Sequence, residues 1–250
     1  SYDVGSYYKG EHLNDIWGLT TIGIAKSQEE MDAHLAKVDQ SSVGTNWGVG
    51  DIMYADVDGD GKISNGTNKL GDTGDYRIIG NSTPRFKYGI TLDAAWKGFD
   101  FSIFMQGIGK RDLWLDGCYF WGANGQGNEW QSTGFAEHWD FFRPEGDPLG
   151  ANLNSYYPRV NFSGDRNTKV QTRYLQNGAY LRLTNVQLGY TLPRVWTEKA
   201  GISSVRVYVS GDNLATITSL SKIFDPEATG SLAGTGSGKL YPLQRVISVG

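Results

Sequence analysis

The chain has 250 residues, of which 34 are Gly, 7 Pro, 8 Trp, 14 Tyr and 10 Phe; this apolar, turn-rich content with a net charge of -4 excludes a disordered or collagenous chain. Without a Lys/Arg cluster there is no electrostatic footprint for a nucleic acid, and the single Cys118 excludes an internal disulfide. No apolar run reaches the roughly 18 residues of a membrane helix, which leaves a membrane β-barrel open, since barrel strands need no such run.

In chain order, the opening SYDVGSYYKG has neither the charged-then-apolar order of a signal peptide nor a lipidation motif. Ser27 followed by Glu30 is a capping box and predicts a helix over SQEEMDAHLAKV, set outside any sheet.

Residues 56–64, DVDGDGKIS, match the opening of a calcium loop. Asp56, Asp58 and Asp60 stand at positions one, three and five, Gly61 at the sharp turn, Lys62 offers its carbonyl, and Ile63 is the apolar anchor. Position twelve is Thr67 instead of the bidentate Glu, and Asp72 or Asp75 is expected to bring that carboxylate from a longer loop. The expectation is a structural Ca2+ held within residues 56–75; the plain alternative is an acidic, solvated turn.

Strict alternation begins at Arg85. Phe86, Tyr88, Ile90, Leu92, Ala94 and Trp96 share one face, against Lys87, Gly89, Thr91, Asp93 and Ala95 on the other. Lys97-Gly98 then reads as a tight turn into a second strand carrying Phe99, Phe101, Ile103 and Met105 on one face. The pattern returns with Val186, Leu188, Tyr190 and Leu192, again with Val205, Val207 and Val209, and a last time with Ile247 and Val249. A short connection at 97–98 and a moderate one at 194–202 alternate with long ones at 111–172 and 220–240, the layout of an outer-membrane barrel with short inner turns and long outer loops. Aromatics near strand ends (Phe86, Tyr88, Trp96, Phe99, Tyr190) suit the interfacial girdles of such a barrel. A strand that stops in mid-alternation at Gly250 reads as the edge of something larger.

Catalytic signals fail one by one, so no enzyme is expected. AGTGSGKL (233–240) departs from a phosphate loop at Ala233 and Leu240, and His12, His34 and His138 have no metal-ligand spacing. Glu137, His138 and Asp140 lack a nucleophile and an oxyanion element, and Cys118 has no basic neighbour. The long loop after residue 111 instead offers Trp114, Tyr119, Phe120, Trp121, Asn124, Trp130 and Trp139. Aromatic faces beside amides suit sugar rings, and these are the candidate substrate-binding residues; the alternative is that they pack the loop itself.

The blocks GDIMYADVDGDGKIS, RIIGNSTPRFKYGITLDAAWKGFDFSIFMQGIGKRD, YLQNGAYLRLTNVQLGYTLP, SSVRVYVSGDNLATIT, FDPE and YPLQR, in this order, resemble the C-terminal part of SusC/RagA-type TonB-dependent outer-membrane transporters of Bacteroidetes. The resemblance implies an all-β fold, the C-terminal portion of a 22-stranded antiparallel transmembrane β-barrel, with residues 1–250 forming one segment of about six or seven strands. It also implies extracellular loops at 25–84, 111–172 and 220–240, with the plug domain and the TonB-binding segment lying outside this sequence. Implied partners are a SusD-like surface lipoprotein lid, TonB, outer-membrane lipid and a second transporter–lid pair; the implied cargo is an oligosaccharide, or a peptide as in the RagA type. Two rivals from other classes remain: a calcium-dependent glycan-binding surface β-sandwich, and a glycoside hydrolase fragment. The sandwich would seal the alternating valines and aromatics between two sheets.

Overall fold

A computed structural model describes residues 8–127, 134–229 and 243–250. It gives, in chain order, β1 (Asp15–Gly18), β2 (Thr21–Ile24), α1 (Gln28–Leu35), β3 (Ile52–Tyr54), β4 (Arg77–Asn81), β5 (Arg85–Trp96), β6 (Phe99–Lys110), β7 (Asp112–Leu113), α2 (Cys118–Trp121), β8 (Gln176–Asn177), β9 (Tyr180–Thr191), α3 (Arg194–Thr197), β10 (Arg206–Thr218) and β11 (Val246–Val249). These elements group into two units. One takes the described parts of Ser1–Thr83 and Asp112–Gln176; the other takes Pro84–Arg111, Asn177–Thr229 and the described part of Leu240–Gly250.

The second unit is a five-stranded antiparallel sheet in the order β11-β10-β9-β6-β5. Lys97 and Gly98 have φ of +48° and +89°, the left-handed pair that a two-residue hairpin turn requires. A side chain at Gly98 would also meet the Thr191 carbonyl at 2.9 Å, so only glycine fits beside β9. Two adjacent rows run across all five strands. Ala94, Phe101, Leu188, Val209 and Val249 stand opposite one another in one row, and Asp93, Ser102, Gln187, Ser210 and Ser248 in the next. Since successive residues alternate faces, the first row and the second lie on opposite sides of the sheet.

The apolar side is bare. Leu92, Trp96, Phe99, Phe101, Leu188, Val207, Val209, Ile217, Ile247 and Val249 are all exposed, so among the described residues no second sheet seals them. On the polar side Arg206 reaches across β9 to Asp100 at 3.0 Å, lying over Gly189, where a Cβ would collide with both groups. The sheet has five strands where six or seven were expected, because the remaining short strands belong to the other unit. Among the described residues it is open, with β5 and β11 at its edges.

One irregularity decides a facing. Phe104 and Met105 are consecutive in β6, yet their partners in β9 are Asn185 and Leu183, so Thr184 bulges out of the ladder. Simple alternation from Val186 puts Arg182 with the apolar row; the bulge shifts the phase and pairs Arg182 with Gln106 and Thr216 on the polar side.

The first unit unites stretches that read as separate loops. Residues 25–84 and most of 111–172 share one interior, with Leu19, Met31, Ile52, Tyr54, Ile63, Leu115, Phe120 and Tyr174 all buried. Each such side chain contributes about 1.5–3 kcal/mol of transfer free energy relative to leaving it exposed. Helix α1 starts as its sequence predicts: Ser27 Oγ accepts the Glu30 amide at 3.2 Å, while Glu30 reaches back to the Lys26 amide, one residue before the cap. Met31 buries its inward face with Ala25 and Met53, and Leu35 and Trp47 pack against them.

A buried ion cluster ties the two stretches together. Asp51 is fully buried and accepts from Arg159 Nη2 at 2.6 Å and Nε at 2.7 Å, from Asn167 Nδ2 at 2.8 Å and from the Gly48 amide, with Arg166 Nε at 3.4 Å. Asn167 Oδ1 accepts the Ile52 amide and Tyr54 O–H donates to the Arg166 carbonyl at 2.6 Å, so each hydrogen bond joins residues more than 100 apart in sequence.

Candidate functional site

The acidic turn is shaped by its own aspartates. Gly59 and Gly61 adopt φ of +81° and +83°. Asp56 accepts the amides of Gly59 at 2.7 Å and Gly61 at 2.9 Å, and Asp58 accepts that of Asp60. Ile63 is buried and its carbonyl accepts the Ser42 hydroxyl, which anchors the end of the turn in the interior.

Asp75, fully buried, returns from downstream to accept the Val57 amide at 2.6 Å and the Ser64 amide at 2.8 Å. One carboxylate oxygen from each of Asp56, Asp58 and Asp75 then lies within 4.8 Å of the others. The remaining candidates are turned to other work. Asp60 accepts the Lys62 amide and pairs with its ammonium at 3.4 Å, and Asp72 caps Thr67 through its amide and hydroxyl. Of the two carboxylates offered for the missing position, the fold brings in Asp75.

Asp56, Asp58 and Asp75 offer three converging hard oxygen donors, the ligand type calcium takes and a part of the roughly six to eight oxygens it needs. The acidities of Asp56 and Asp58 are moved in opposite directions. The Gly61 amide holds the Asp56 carboxyl below the usual range. At Asp58 the Asp60 amide pulls downward, but burial and the charges of Asp75, Asp60 and Asp56 together outweigh it and the carboxyl stays above its ordinary value.

The aromatic loop divides sharply. Phe120, Trp121 and Asn124 are buried; Trp121 meets the Tyr174 ring at 4.7 Å, Phe120 meets Tyr157 at 5.8 Å, and Asn124 Oδ1 accepts the Asn161 amide. These three fill the interior of the unit instead of presenting a surface to cargo. Trp114 and Tyr119 are half-buried against Trp121 and Phe135. Trp139 is 65% exposed, beside Phe141 with the Arg143 guanidinium stacked on that ring. Trp130 and residues 233–240 lie outside the described residues.

His138 sits in the same interior, accepting the Phe135 amide on Nδ1 and lying 3.1 Å from the Phe120 carbonyl through Nε2; burial holds its pKa below the usual value. Asp140 accepts from Asn152 and from the Tyr156 amide, so Glu137, His138 and Asp140 do not form a relay.

A constellation that sequence reasoning missed lies on the polar side of the sheet. Arg182 Nη2 pairs with Asp225 at 2.7 Å and Nη1 with Glu227 at 3.0 Å. Glu227 also accepts the Tyr180 hydroxyl and the Gln106 amide, and Arg111 donates to the Thr229 carbonyl. These bonds strap Asp225, Glu227 and Thr229 down onto β9 and the end of β6. The signal was an arginine in an otherwise apolar strand, followed about forty residues later by the acids of FDPE.

No family model matches the chain. It is similar to TonB-dependent receptor P3 of Formosa agariphila, 34% identical over 180 residues, which covers 72% of this chain and 16% of that protein. TonB-dependent receptor P26 of the same organism is 29% identical over 251 residues, covering 96% of this chain and 22% of that protein. The chain therefore spans less than a quarter of the length of these relatives. Among solved structures, the RagAB peptide importer in its open-open state superposes with a TM-score of 0.58 at 21% identity over 94% of this chain and 21% of the other. The RagAB peptide transporter gives 0.53 at 21% identity over 83% of this chain and 20% of the other. At such identity the superpositions speak for the fold alone, the arrangement of strands that this chain shares with part of those chains.

The resemblance read from the residues holds. Over the part it covers, this chain is of the SusC/RagA type of TonB-dependent receptor.

Proposed function

We propose that the chain is part of an outer-membrane importer, its five-stranded sheet a sector of a transmembrane barrel that closes with strands outside this sequence. The observation that carries this reading is the bare apolar side of the sheet, set by register against a polar side. A contiguous exposed apolar face of this extent marks a surface made for lipid or a partner. A calcium-dependent sandwich, the rival reading, needs those residues sealed between sheets.

In the importer, the polar side lines the pore, β5 and β11 continue into neighbouring strands, and residues 25–84, 111–172 and 220–240 belong to extracellular loops. A SusD-like lipoprotein covers the transporter's extracellular side, TonB supplies the energy, and the cargo is an oligosaccharide carried without chemical change. A peptide cargo is the second reading, favoured by the superposition on the RagAB peptide importer. We further propose that Asp56, Asp58 and Asp75 hold a structural Ca2+ that fixes the 56–75 turn.

Two measurements test this. The whole receptor should require detergent for extraction from the outer membrane and take up cargo only with TonB present; release into aqueous buffer would sink the barrel. Titration calorimetry with calcium should give binding that Asp58→Ala abolishes, whereas equal heats from both proteins would remove the ion.

A further inference from the structure

Strand pairing brings together three cations from two strands. Arg85 on β5 stands directly opposite Lys110 on β6, and Lys87 stands opposite Ile108, which makes Lys87 and Lys110 diagonal neighbours. Residues directly opposite share a side of the sheet, as do residues two apart along a strand, so all three side chains leave from one side. Phe86, between Arg85 and Lys87, leaves from the other: a Cβ at Gly109 would meet the Phe86 Cβ at 3.2 Å.

The cations are on the polar side. The row through Lys87 and Ile108 runs on to Tyr180, whose hydroxyl donates to Glu227, the carboxylate that also pairs with Arg182. Within the β5–β6 hairpin they stand at the end away from the Lys97-Gly98 turn.

Their charges are not neutralised. Arg85, Lys87 and Lys110 are exposed and form no ion pair or hydrogen bond among the described residues. Lys110 lies on β6, which has a described strand on each side, so the open edge at β5 does not account for its lack of a partner. The acids of this side are engaged or distant. Asp225 and Glu227 pair with Arg182, Asp100 pairs with Arg206, and Asp212 accepts from Asn185. Asp93 is six residues beyond Lys87 along β5, about 20 Å away. Like charges directly opposite one another are destabilising in a sheet, and Cβ separations of about 5 to 8 Å keep the three cations within reach of one another. Together they set up a positive potential that an incoming anion relieves. The Arg85 guanidinium offers a planar pair of N–H donors to a carboxylate or sulfate, and each ammonium adds a point charge.

We propose that Arg85, Lys87 and Lys110 form a subsite for the acidic groups of an oligosaccharide cargo at the outer mouth of the pore. The proposal rests on the importer reading, which puts the polar side in the pore and the end away from the short turn outside. Charge complementarity selects the occupant: an acidic sugar chain repeats its carboxylates or sulfates along its length and engages the three cations together. Lipid headgroups meet the opposite, apolar side.

The test titrates the whole receptor in detergent, by calorimetry, with a tetrasaccharide of galacturonic acid and with its methyl ester, which keeps the rings and removes the charge. The acid should bind ~10-fold more tightly at low salt, and the preference should fade as salt screens the exposed charges. Lys87→Gln combined with Lys110→Gln should remove most of the preference and leave the affinity for the ester unchanged, a pattern that general loss of structure does not give. Lys87→Arg combined with Lys110→Arg should retain the preference. An acidic tetrapeptide and its amide are the second pair of probes. Equal binding of acid and ester, a preference that survives the Gln substitutions, or a larger preference in the peptide pair overturns the proposal. Each of these leaves TonB-driven uptake intact, so it is separable from failure of the importer reading, which shows as a receptor extractable without detergent.

Discussion

The two units draw on the same aromatic-rich composition and spend it in opposite ways. In the unit that contains α1, rings and aliphatics go inside (Tyr54, Phe120, Trp121, Tyr174) and charged groups that are buried meet partners, as Asp51 does with Arg159 and Arg166. In the sheet unit, leucines, valines and tryptophans stand outward while ions gather on the other side around Arg182 and Arg206. The first arrangement is what water imposes on a chain; the second is stable only where one face meets something other than water. The difference teaches that burial, more than composition, separates the sheet with its bare apolar side from the rest.

The comparison breaks first, if it breaks, at Asp51. Asp51→Ala leaves the buried Arg166 and the partly exposed Arg159 without their carboxylate and is expected to cost about 3 kcal/mol. Limited proteolysis of the whole receptor should then cut within residues 25–84; resistance equal to that of the parent would take the ion cluster out of the account.

Next comes the facing of the sheet. Leu188→Arg, on the apolar row, should cost about 2 to 4 kcal/mol near the bilayer midplane, while Gln187→Arg, one residue away on the polar side, should be mild. Folding into lipid vesicles, followed by gel mobility, reads both, and equal losses would end the assignment of faces.

Ser27→Ala sharpens the water-built side with a smaller effect. It removes one cap from α1 and should cost about 1 kcal/mol, seen as faster amide exchange over residues 28–35 with the sheet unaffected.

The smallest effect is the pH response of the acidic turn. Asp58 has a raised pKa in the folded protein, so without metal its contribution to stability is present below the ordinary carboxylate pKa and is lost as pH rises through the raised value. Asp56 has a lowered pKa and acts in the opposite sense, contributing above the ordinary value and losing that contribution as pH falls through its own. Amide exchange over residues 56–75 in chelator should therefore quicken as pH climbs past the Asp58 transition, and calcium should cancel the change. A turn whose corrected exchange ignores both pH and calcium would detach these carboxylates from any ion.

Local chemistry was legible in the sequence from end to end. Alternation marked the strands because a pleated backbone sends neighbours to opposite sides, Lys97-Gly98 marked the hairpin because it needs two positive φ values, and Ser27 marked a helix start because its hydroxyl can hold the Glu30 amide. The spacing of Asp56 and Asp58 is likewise a property of a few consecutive residues. What only the tertiary structure decided depends on partners far along the chain. Phe120 and Trp121 became interior because Tyr157 and Tyr174 close over them, and Asp75 outcompeted Asp72 because its carboxylate reaches the amides of Val57 and Ser64. Arg182 changed sides because Thr184 bulges against an unbroken β6, a shift of phase that no count along β9 alone contains.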